Sequence, residues 1–255
     1  MSKEFLPTIL KQKEQEVAAM SYEELQPLRS TYSLYEYLKS HPQELQLIAE
    51  VKKASPSLGD INLGVDIVEQ ARTYERCGAA MISVLTDEIF FKGHLDYLRE
   101  ISSQVTIPTL NKDFIIDKKQ IVRARNAGAT VILLIVAALP EKRLQELYDF
   151  ATGLGLEVLV ETHNLAELET AHRIGARIIG VNNRNLVTFE TDINTSLQLS
   201  AHFKDDRVYV SESAIFSKED AELVAPYFHA ILVGTALMQA EDVVEKIKEL
   251  KIDKG

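Results

Sequence analysis

Short apolar runs alternate with helix-like stretches along most of the chain. Eight runs rich in apolar and β-branched residues begin near Leu47, Met81, Thr109, Val131, Glu157, Ile178, Val208 and Ala230. Between them apolar residues recur at helical spacing. Glycines end several of the predicted helices before the next strand, at Gly78, Gly128, Gly155 and Gly175. Apolar strands that alternate with helices predict a parallel sheet covered on both faces, and eight such units over ~200 residues are typical of a (β/α)8 TIM barrel.

The first 45 residues lie outside this repeat. Residues 9–20 carry a charged amphipathic pattern, and residues 22–39 suggest a second helix. We therefore predict an α/β fold with one (β/α)8 barrel domain over residues 1–255, in which residues 1–45 are an N-terminal helical extension packed on the barrel. Within the barrel, Asp117 and Asn164 are predicted N-caps, and residues 217–220 (SKED) resemble a capping box.

Composition narrows the class of partner. The net charge is −10, from 38 acidic and 28 basic residues, which disfavours binding to nucleic acid because phosphate backbones require a basic surface. The single cysteine, Cys77, excludes an internal disulfide and fits a reducing compartment. No signal peptide and no membrane-spanning apolar stretch is present in the sequence. We expect a cytoplasmic protein with no nucleic-acid and no membrane partner.

Charged and polar residues gather where the predicted strands end, which is the face that carries the active site in barrels of this kind. The residues at these ends and in the loops that follow are Glu50, Lys52, Lys112, Glu161, Asn182, Arg184, Glu212, Ser213, Gly234 and Thr235. Strands 2 and 4 end without an ionisable group and are expected to form an apolar wall. Two lysines, three glutamates and an arginine at one mouth suit acid–base chemistry. For Glu50 and Lys52 alone, a structural ion pair is an equally good interpretation, but six such ends together favour a catalytic site.

Other kinds of site have less support. The six histidines are scattered, and none stands at a strand end in metal-ligand spacing. His163 is interpreted as a surface residue or one that lies behind the site. No Walker loop, Gly-x-Gly-x-x-Gly loop or Ser/His/Asp elbow is present, so we expect neither a metal nor a cofactor. The small residues after strands 7 and 8 suit a phosphate held by backbone N–H groups, although a plain helix start is an equal alternative there.

Six segments taken together resemble the indole-3-glycerol phosphate synthase family of tryptophan biosynthesis. They are residues 48–57 (IAEVKKASPS), 112–117 (KDFIID), 159–164 (LVETHN), 180–186 (GVNNRNL), 210–213 (VSES) and 232–235 (LVGT). The resemblance implies an enzyme that converts a phosphorylated small molecule, 1-(2-carboxyphenylamino)-1-deoxyribulose 5-phosphate, to indole-3-glycerol phosphate with loss of CO2 and water. It implies no cofactor.

The resemblance also implies roles for individual residues. Lys112 would be the general acid, Glu161 and Lys52 would serve as further acid and base, and Glu50 would orient Lys52. The other implied catalytic residues are Asn182 and Ser213, which would position substrate hydroxyls. The implied substrate-binding residues are Ser55, Arg184, Glu212, Ala214, Gly234 and Thr235, of which Arg184 would pair with the carboxylate of the substrate. Residues 53–64 are a candidate lid.

Three positions depart from the family pattern. Leu58 stands where a lysine is common, Ala214 replaces the usual glycine, and Asn111 differs from the common residue before Lys112. If position 214 needs a positive φ, alanine there costs roughly 1 kcal/mol. Two alternatives remain at this point: another phosphate-binding barrel such as a phosphoribosylanthranilate isomerase, and a ligand-binding barrel without activity. No fused second enzyme is expected, since the chain ends soon after the last strand.

Overall fold

All eight predicted strands form. The computed structural model describes residues 5–55, 59–60 and 64–255. The strands are β1 (Glu44–Val51), β2 (Met81–Leu85), β3 (Thr109–Lys112), β4 (Val131–Ile135), β5 (Glu157–Thr162), β6 (Ile178–Asn182), β7 (Val208–Glu212) and β8 (Ala230–Val233). Seven begin at the predicted residue. β1 begins earlier than Leu47, because Glu44 and Leu45 pair with a short antiparallel strand, Ile252–Asp253, near the end of the chain.

The strands close into a barrel. Each pairs in parallel with the next one in the chain, and β8 returns to β1, where Gln46 lies opposite Ala230 and Ala49 opposite Val233. Closure removes the free edges that an open sheet would leave. With helices between the strands, this is a (β/α)8 TIM barrel, and the predicted fold class is confirmed.

The helices are α1 (Phe5–Ala19), α2 (Leu34–Ser40), α3 (Ile67–Arg76), α4 (Glu88–Phe91), α5 (Leu95–Ser102), α6 (Lys118–Asn126), α7 (Glu141–Gly153), α8 (Leu165–Arg173), α9 (Asn194–Ser200), α10 (Lys218–Val224), α11 (Thr235–Met238) and α12 (Val243–Leu250). Most of the helices cover the outside of the barrel, while α2 closes its amino-terminal end and α1 lies against the loops at the other end. Asp117 and Asn164 cap α6 and α8, and Ser217 forms a capping box with Asp220, as predicted. The four glycines named as helix ends all have positive φ.

The predicted helix over residues 22–39 is wrong for most of its length, since only Leu34–Ser40 is helical. Residues 20–33 form neither a helix nor a strand. The polar groups of this segment bond to barrel helices and loops: the backbone N–H of Gln26 donates to Asn126, and the Arg29 guanidinium donates to the carbonyls of Val105 and Ile107. These long-range bonds replace those that a helix would have made.

The core has two layers on either side of the sheet. The outer layer lies between strands and helices. The inner layer fills the barrel and consists of Ile48, Ala80, Met81, Leu110, Val131, Leu133, Ile135, Leu159, Ile178, Val208, Val210, Ala230 and Leu232, together with Leu34 and Leu38 of α2. Successive residues of a strand point to opposite faces of the sheet, so every second side chain points into the barrel. On each strand these inward side chains begin in the apolar inner layer and continue toward the carboxyl end.

The N-terminal helix lies against the loops at the same end of the barrel. Lys13 of α1 is almost fully buried, and its Nζ lies 2.8 Å from both Asp87 Oδ2 and Asp113 Oδ1. Asp87 precedes α4, and Asp113 follows the last residue of β3. A buried cation with two carboxylates holds the helix against both loops. Across the described ranges, no helix has the length and apolar character needed to cross a membrane.

Candidate active site

One cavity opens at the carboxyl ends of the strands, and nearly all the predicted site residues line it. Those that do are Glu50, Lys52, Lys112, Glu161, Asn182, Arg184, Glu212, Ser213, Ala214, Gly234 and Thr235. The side chain of Ser55 lies outside the described residues, as do Leu58 and much of the candidate lid at residues 53–64. The structure therefore brings the predicted charges together at one mouth.

The acid and base at the end of β1 point inward together. Glu50 and Lys52 are two positions apart on the strand, and Lys52 Nζ lies 3.1 Å from Glu50 Oε1. Glu50 is buried. Gly234, after β8, leaves space for it, since a Cβ at that position would lie 2.3 Å from Glu50 Oε1. A larger residue there would displace the carboxylate of Glu50 from its present position.

Lys112, the last residue of β3, lies between two buried carboxylates. Its Nζ is 2.6 Å from Glu212 Oε2 and 3.4 Å from Glu161 Oε2. Burial alone would lower the pKa of Lys112, but the nearby carboxylates of Glu212, Glu161 and Glu50 outweigh it and raise the pKa above its usual value. Lys112 is therefore a cation when no ligand is bound.

The two carboxylates beside Lys112 differ in proton affinity. Burial raises the pKa of Glu212 above its usual value, and the negative charge of Glu161 adds to the effect. Burial acts on Glu161 in the same direction, but Lys112 and His163 outweigh it and lower the pKa of Glu161 below its usual value. Distance from Lys112 alone would reverse this order, since Glu212 is the nearer carboxylate. Glu161 also has His163 as a second cation beside it, whereas Lys112 is the one cation paired with Glu212 among the described residues.

A glycine on β6 makes room for Glu212. A Cβ at Gly180 would lie 2.0 Å from Glu212 Oε1. That oxygen is buried, and no donor from the described residues reaches it. A buried carboxylate oxygen without a donor is costly unless it is protonated or meets a ligand. Glu212 is thus held in a space that suits proton exchange with a bound substrate.

The loop after β7 has an unusual backbone. Ser213 and Ala214 are consecutive residues in the left-handed region, with φ of 65° and 60°. Position 214 does adopt a positive φ, so alanine there carries strain of roughly 1 kcal/mol relative to glycine. After β8, Gly234 precedes α11, whose first residue is Thr235. Residues of both loops, Ser213, Ala214, Gly234 and Thr235, line the cavity.

Asn182 is the last residue of β6, and Arg184 lies two positions further along the chain. Asn182 Oδ1 accepts a hydrogen bond of 3.0 Å from the Arg184 backbone N–H. The Arg184 guanidinium donates to the carbonyl of Phe189, at 2.9 Å from Nη1. These bonds fix the loop while the guanidinium remains at the cavity wall.

Aromatic residues at the mouth were missed in the sequence. Phe5 of α1 packs against Phe189 and Phe90, with ring centroids 4.6 Å and 5.8 Å away. Phe5, Phe91 and Phe189 line the cavity beside the expected apolar strand ends Leu85 and Ile135. Phe5 is far from the strands in sequence, so no spacing pattern could have placed it there.

Comparison with known proteins identifies the family. Residues 6–250 match the family model described as indole-3-glycerol phosphate synthase. The chain belongs to the indole-3-glycerol phosphate synthase family. It is 97% identical to the indole-3-glycerol phosphate synthase of Streptococcus sanguinis and 75% identical to that of Streptococcus mutans, in both cases over 255 residues and 100% of each chain.

Solved structures share the fold at low sequence identity. A 3-hexulose-6-phosphate synthase matches with a TM-score of 0.61 and 13% identity, covering 81% of this chain and 98% of that one. An N-acetylmannosamine-6-phosphate 2-epimerase from Clostridium perfringens matches with a TM-score of 0.62 and 14% identity, covering 83% and 93%. These likenesses support the barrel architecture alone.

The family membership confirms the predicted activity. The chain is an enzyme of tryptophan biosynthesis, a carboxy-lyase that closes the indole ring of a phosphorylated small-molecule substrate. The alternative of a phosphoribosylanthranilate isomerase is overturned by the family match. The match spans almost the whole chain, and the relatives are covered over their full length, with no fused enzyme in them.

Proposed function

We propose that Lys112 is the general acid of ring closure, with Glu161 and Lys52 as the base and acid of the later dehydration. The position of Lys112 carries this proposal: its Nζ lies 2.6 Å and 3.4 Å from two buried carboxylates at the barrel mouth. Among the described residues lining the cavity, Lys52 is the other lysine, and it is paired with Glu50. The mouth therefore offers two cationic donors, each next to a carboxylate.

Ring closure needs a donor at the carbonyl. The ring carbon that carries the carboxylate attacks the C2 carbonyl of the ribulose chain, and the carbonyl π pair moves to oxygen. Lys112 gives that oxygen its proton, so the developing negative charge ends as a hydroxyl. Glu212 stays close to the amine formed on Lys112, and its raised pKa suits it to return a proton.

Loss of CO2 and water completes the reaction. The bond to the carboxylate breaks, CO2 leaves, and its electron pair restores the aromatic ring. The hydroxyl then departs as water with a proton from Lys52. Glu161 removes a proton from the carbon beside the nitrogen, and that electron pair forms the double bond of the indole. Two protons are given and one is taken, so one proton from solvent restores the enzyme. These reaction steps use no cofactor.

Other residues of the mouth suit substrate binding. The planar Arg184 guanidinium matches a carboxylate better than a lysine would. We assign the phosphate to Ser55, the backbone at Ala214, Gly234 and Thr235. The assignment is supported by the small residues of the two loops, which line the cavity. The aromatic wall of Phe5, Phe91 and Phe189 suits the aryl ring of the substrate.

Asn182, Ser213 and Glu212 complete the assignment. Asn182 and Ser213 would hold substrate hydroxyls, and Glu212 shares that rim. We further propose that residues 1–255 form one domain, with residues 1–45 as an extension. The buried ion pairs of Lys13 and the apolar contacts of α2 inside the barrel support it. A cytoplasmic location is also proposed, on the ground of the lone cysteine Cys77.

The decisive experiment is turnover by Lys112→Met. Purified protein is mixed with the carboxyphenylamino-deoxyribulose phosphate, and indole fluorescence follows product. We expect turnover in the natural enzyme and a loss of about 10²- to 10⁴-fold in kcat for the variant, the usual contribution of a general acid. Lys142→Met, at an exposed lysine of α7, is the matched control and should keep full activity. Near-normal turnover by folded Lys112→Met would remove Lys112 from this role, and saturable binding without product in the natural protein would indicate a barrel that has lost activity.

A further inference from the structure

His163 lies between two glutamates just beyond the site. It follows the last residue of β5, and its imidazole is mostly buried, with 11% of the side chain exposed. Nε2 lies 3.2 Å from Glu161 Oε1, and Nδ1 lies 2.9 Å from Glu167 Oε2. Of the two interpretations made from the sequence, the structure supports the one that places His163 behind the site and not the one that places it on the surface. His163 packs behind Glu161, on the far side from Lys112.

The imidazole is held in place by the start of α8. Glu167, in the first turn of that helix, accepts a 2.8 Å hydrogen bond from the His163 backbone N–H with the same oxygen that faces Nδ1. Its other oxygen accepts from the side chain of Asn164, the helix cap, at 2.7 Å. Backbone, cap and ring thus share one carboxylate. The ring has little freedom to turn away from Glu161.

The geometry favours a positive charge on the ring. Both ring nitrogens face carboxylate oxygens, and a neutral imidazole has only one N–H to offer. The Nε2–H is not aimed straight at Glu161, so that contact is an ion pair, not a linear hydrogen bond. Burial alone would lower the pKa of His163, but Glu161 and Glu167 together raise it to about 10.

A line of alternating charge results. It runs Glu167, His163, Glu161, Lys112, Glu212, with each neighbour within 3.4 Å. Glu161 has a cation on each oxygen: Lys112 on Oε2 and His163 on Oε1. One of these is temporary, because Lys112 becomes a neutral amine when it gives its proton to the substrate. Without a second cation, the buried Glu161 would then gain a proton and cease to be a base.

We propose that His163 is a positioning residue whose fixed positive charge keeps Glu161 ionised and turned toward Lys112 after Lys112 has donated its proton. The inference rests on the proposed roles of Lys112 and Glu161. The charged groups facing the imidazole are Glu161 from β5 and Glu167 from α8. The groove beside it is also lined by Arg184, Glu190 and Asp192 from the loop after β6.

The first test compares His163→Gln with His163→Arg. Glutamine removes the charge, and arginine keeps a cation that can span two carboxylates. For His163→Gln we expect kcat to fall about tenfold with KM little changed, and the ratio of its kcat to that of the natural enzyme to fall further below neutral pH, as Glu161 takes up a proton. The ratio removes every titration that the two proteins share. What remains reports the carboxylates Glu161 and Glu212, whose protonation is linked, and His163 faces this pair only through Glu161. His163→Arg should restore most of the ratio.

His172→Gln is the matched control. His172 lies on α8 and contacts Tyr209, away from the mouth, so its loss should leave the pH profile unchanged. A purely structural role for His163 would lower stability in the Gln and Arg variants alike and leave the pH profile unaltered. An unchanged ratio for His163→Gln overturns the proposal, as does failure of the Arg variant to recover.

A second test reads the charge directly. Imidazole resonances of the natural enzyme are followed by NMR from pH 5 to pH 11, and the signal missing in His163→Gln is assigned to His163. We expect that signal to remain at its protonated position at pH 8. A neutral His163 at pH 8 would overturn the inference while leaving the role of Lys112 untouched. Conversely, an active Lys112→Met would refute the proposed mechanism whatever His163 does.

Discussion

The two ends of β5 carry glutamates in opposite situations. Glu157 begins the strand and Glu161 precedes its last residue. At the first end, Glu157 accepts hydrogen bonds from the Ser33 hydroxyl at 2.9 Å and from the backbone N–H groups of Leu34 and Tyr35 at 2.6 Å and 2.9 Å. These donors belong to the start of α2, which plugs that end of the barrel. All of them are fixed by the helix, and none can be lost during a reaction.

At the other end, the partners of Glu161 are side chains. Lys112 and His163 are held by charge, and Lys112 is also shared with Glu212. One Glu212 oxygen has no donor at all among the described residues. The barrel thus holds Glu157 with donors fixed by the start of α2, and surrounds Glu161 and Glu212 with ionisable side chains that can exchange protons.

The largest effect should come from Glu161→Gln. Without the base, kcat should fall by about 10²- to 10⁴-fold. Stability should change little, because Lys112 keeps Glu212 and His163 keeps Glu167 as partners. The measurements are indole fluorescence and urea unfolding. Glu169→Gln, at an exposed position of α8, serves as control. A stability loss as large as that of a broken buried ion pair would show that Glu161 is structural.

Glu157→Gln should show the reverse. The amide places an NH2 group against a backbone N–H donor, so the free energy of unfolding should fall by about 1–3 kcal/mol. Activity at temperatures where the variant is folded should be unchanged. Urea unfolding and kcat on the same samples test both statements. If kcat falls without a change in stability, Glu157 acts in the reaction and the two ends of β5 do not differ as described.

Gly180→Ala sharpens the contrast within the mouth. Its Cβ would lie 2.0 Å from Glu212 Oε1, so Glu212 must swing away from Lys112. We expect kcat/KM to fall about tenfold and stability by about 1 kcal/mol. Gly153→Ala is the matched control, since nothing lies within 4 Å of its Cβ and α7 should gain up to about 1 kcal/mol. Full activity in Gly180→Ala would show that the position of Glu212 is not critical.

The smallest effect is expected from Ala214→Gly. Glycine relieves the strain of the positive φ but adds freedom to the unfolded chain, so stability should rise by no more than about 1 kcal/mol. If the Ala214 N–H holds the phosphate, KM should also fall. Thermal unfolding and steady-state kinetics measure the two effects. A loss of stability would mean that the loop has adapted to alanine.

Much of the fold could be predicted because it depends on patterns of residues that are close together in the sequence. Seven strand starts, the helix-ending glycines and the caps at Asp117, Asn164 and Ser217 follow from residues adjacent in sequence. The alternation of side chains along a strand also placed Glu50 and Lys52 on one face. The helix expected at residues 22–39 failed because its polar groups bond to distant loops and helices, which no local pattern reports.

The sequence by itself determined the barrel, the set of charges at its strand ends and the family, because each depends on residue type and order along single strands. The tertiary structure decided how those charges share protons. Only closure of the barrel brings Lys112 between Glu161 and Glu212, turns His163 onto Glu161, and brings Phe5 over the mouth. Proton affinity in a buried site depends on burial and on charges within a few ångströms, and those distances exist only in the folded chain.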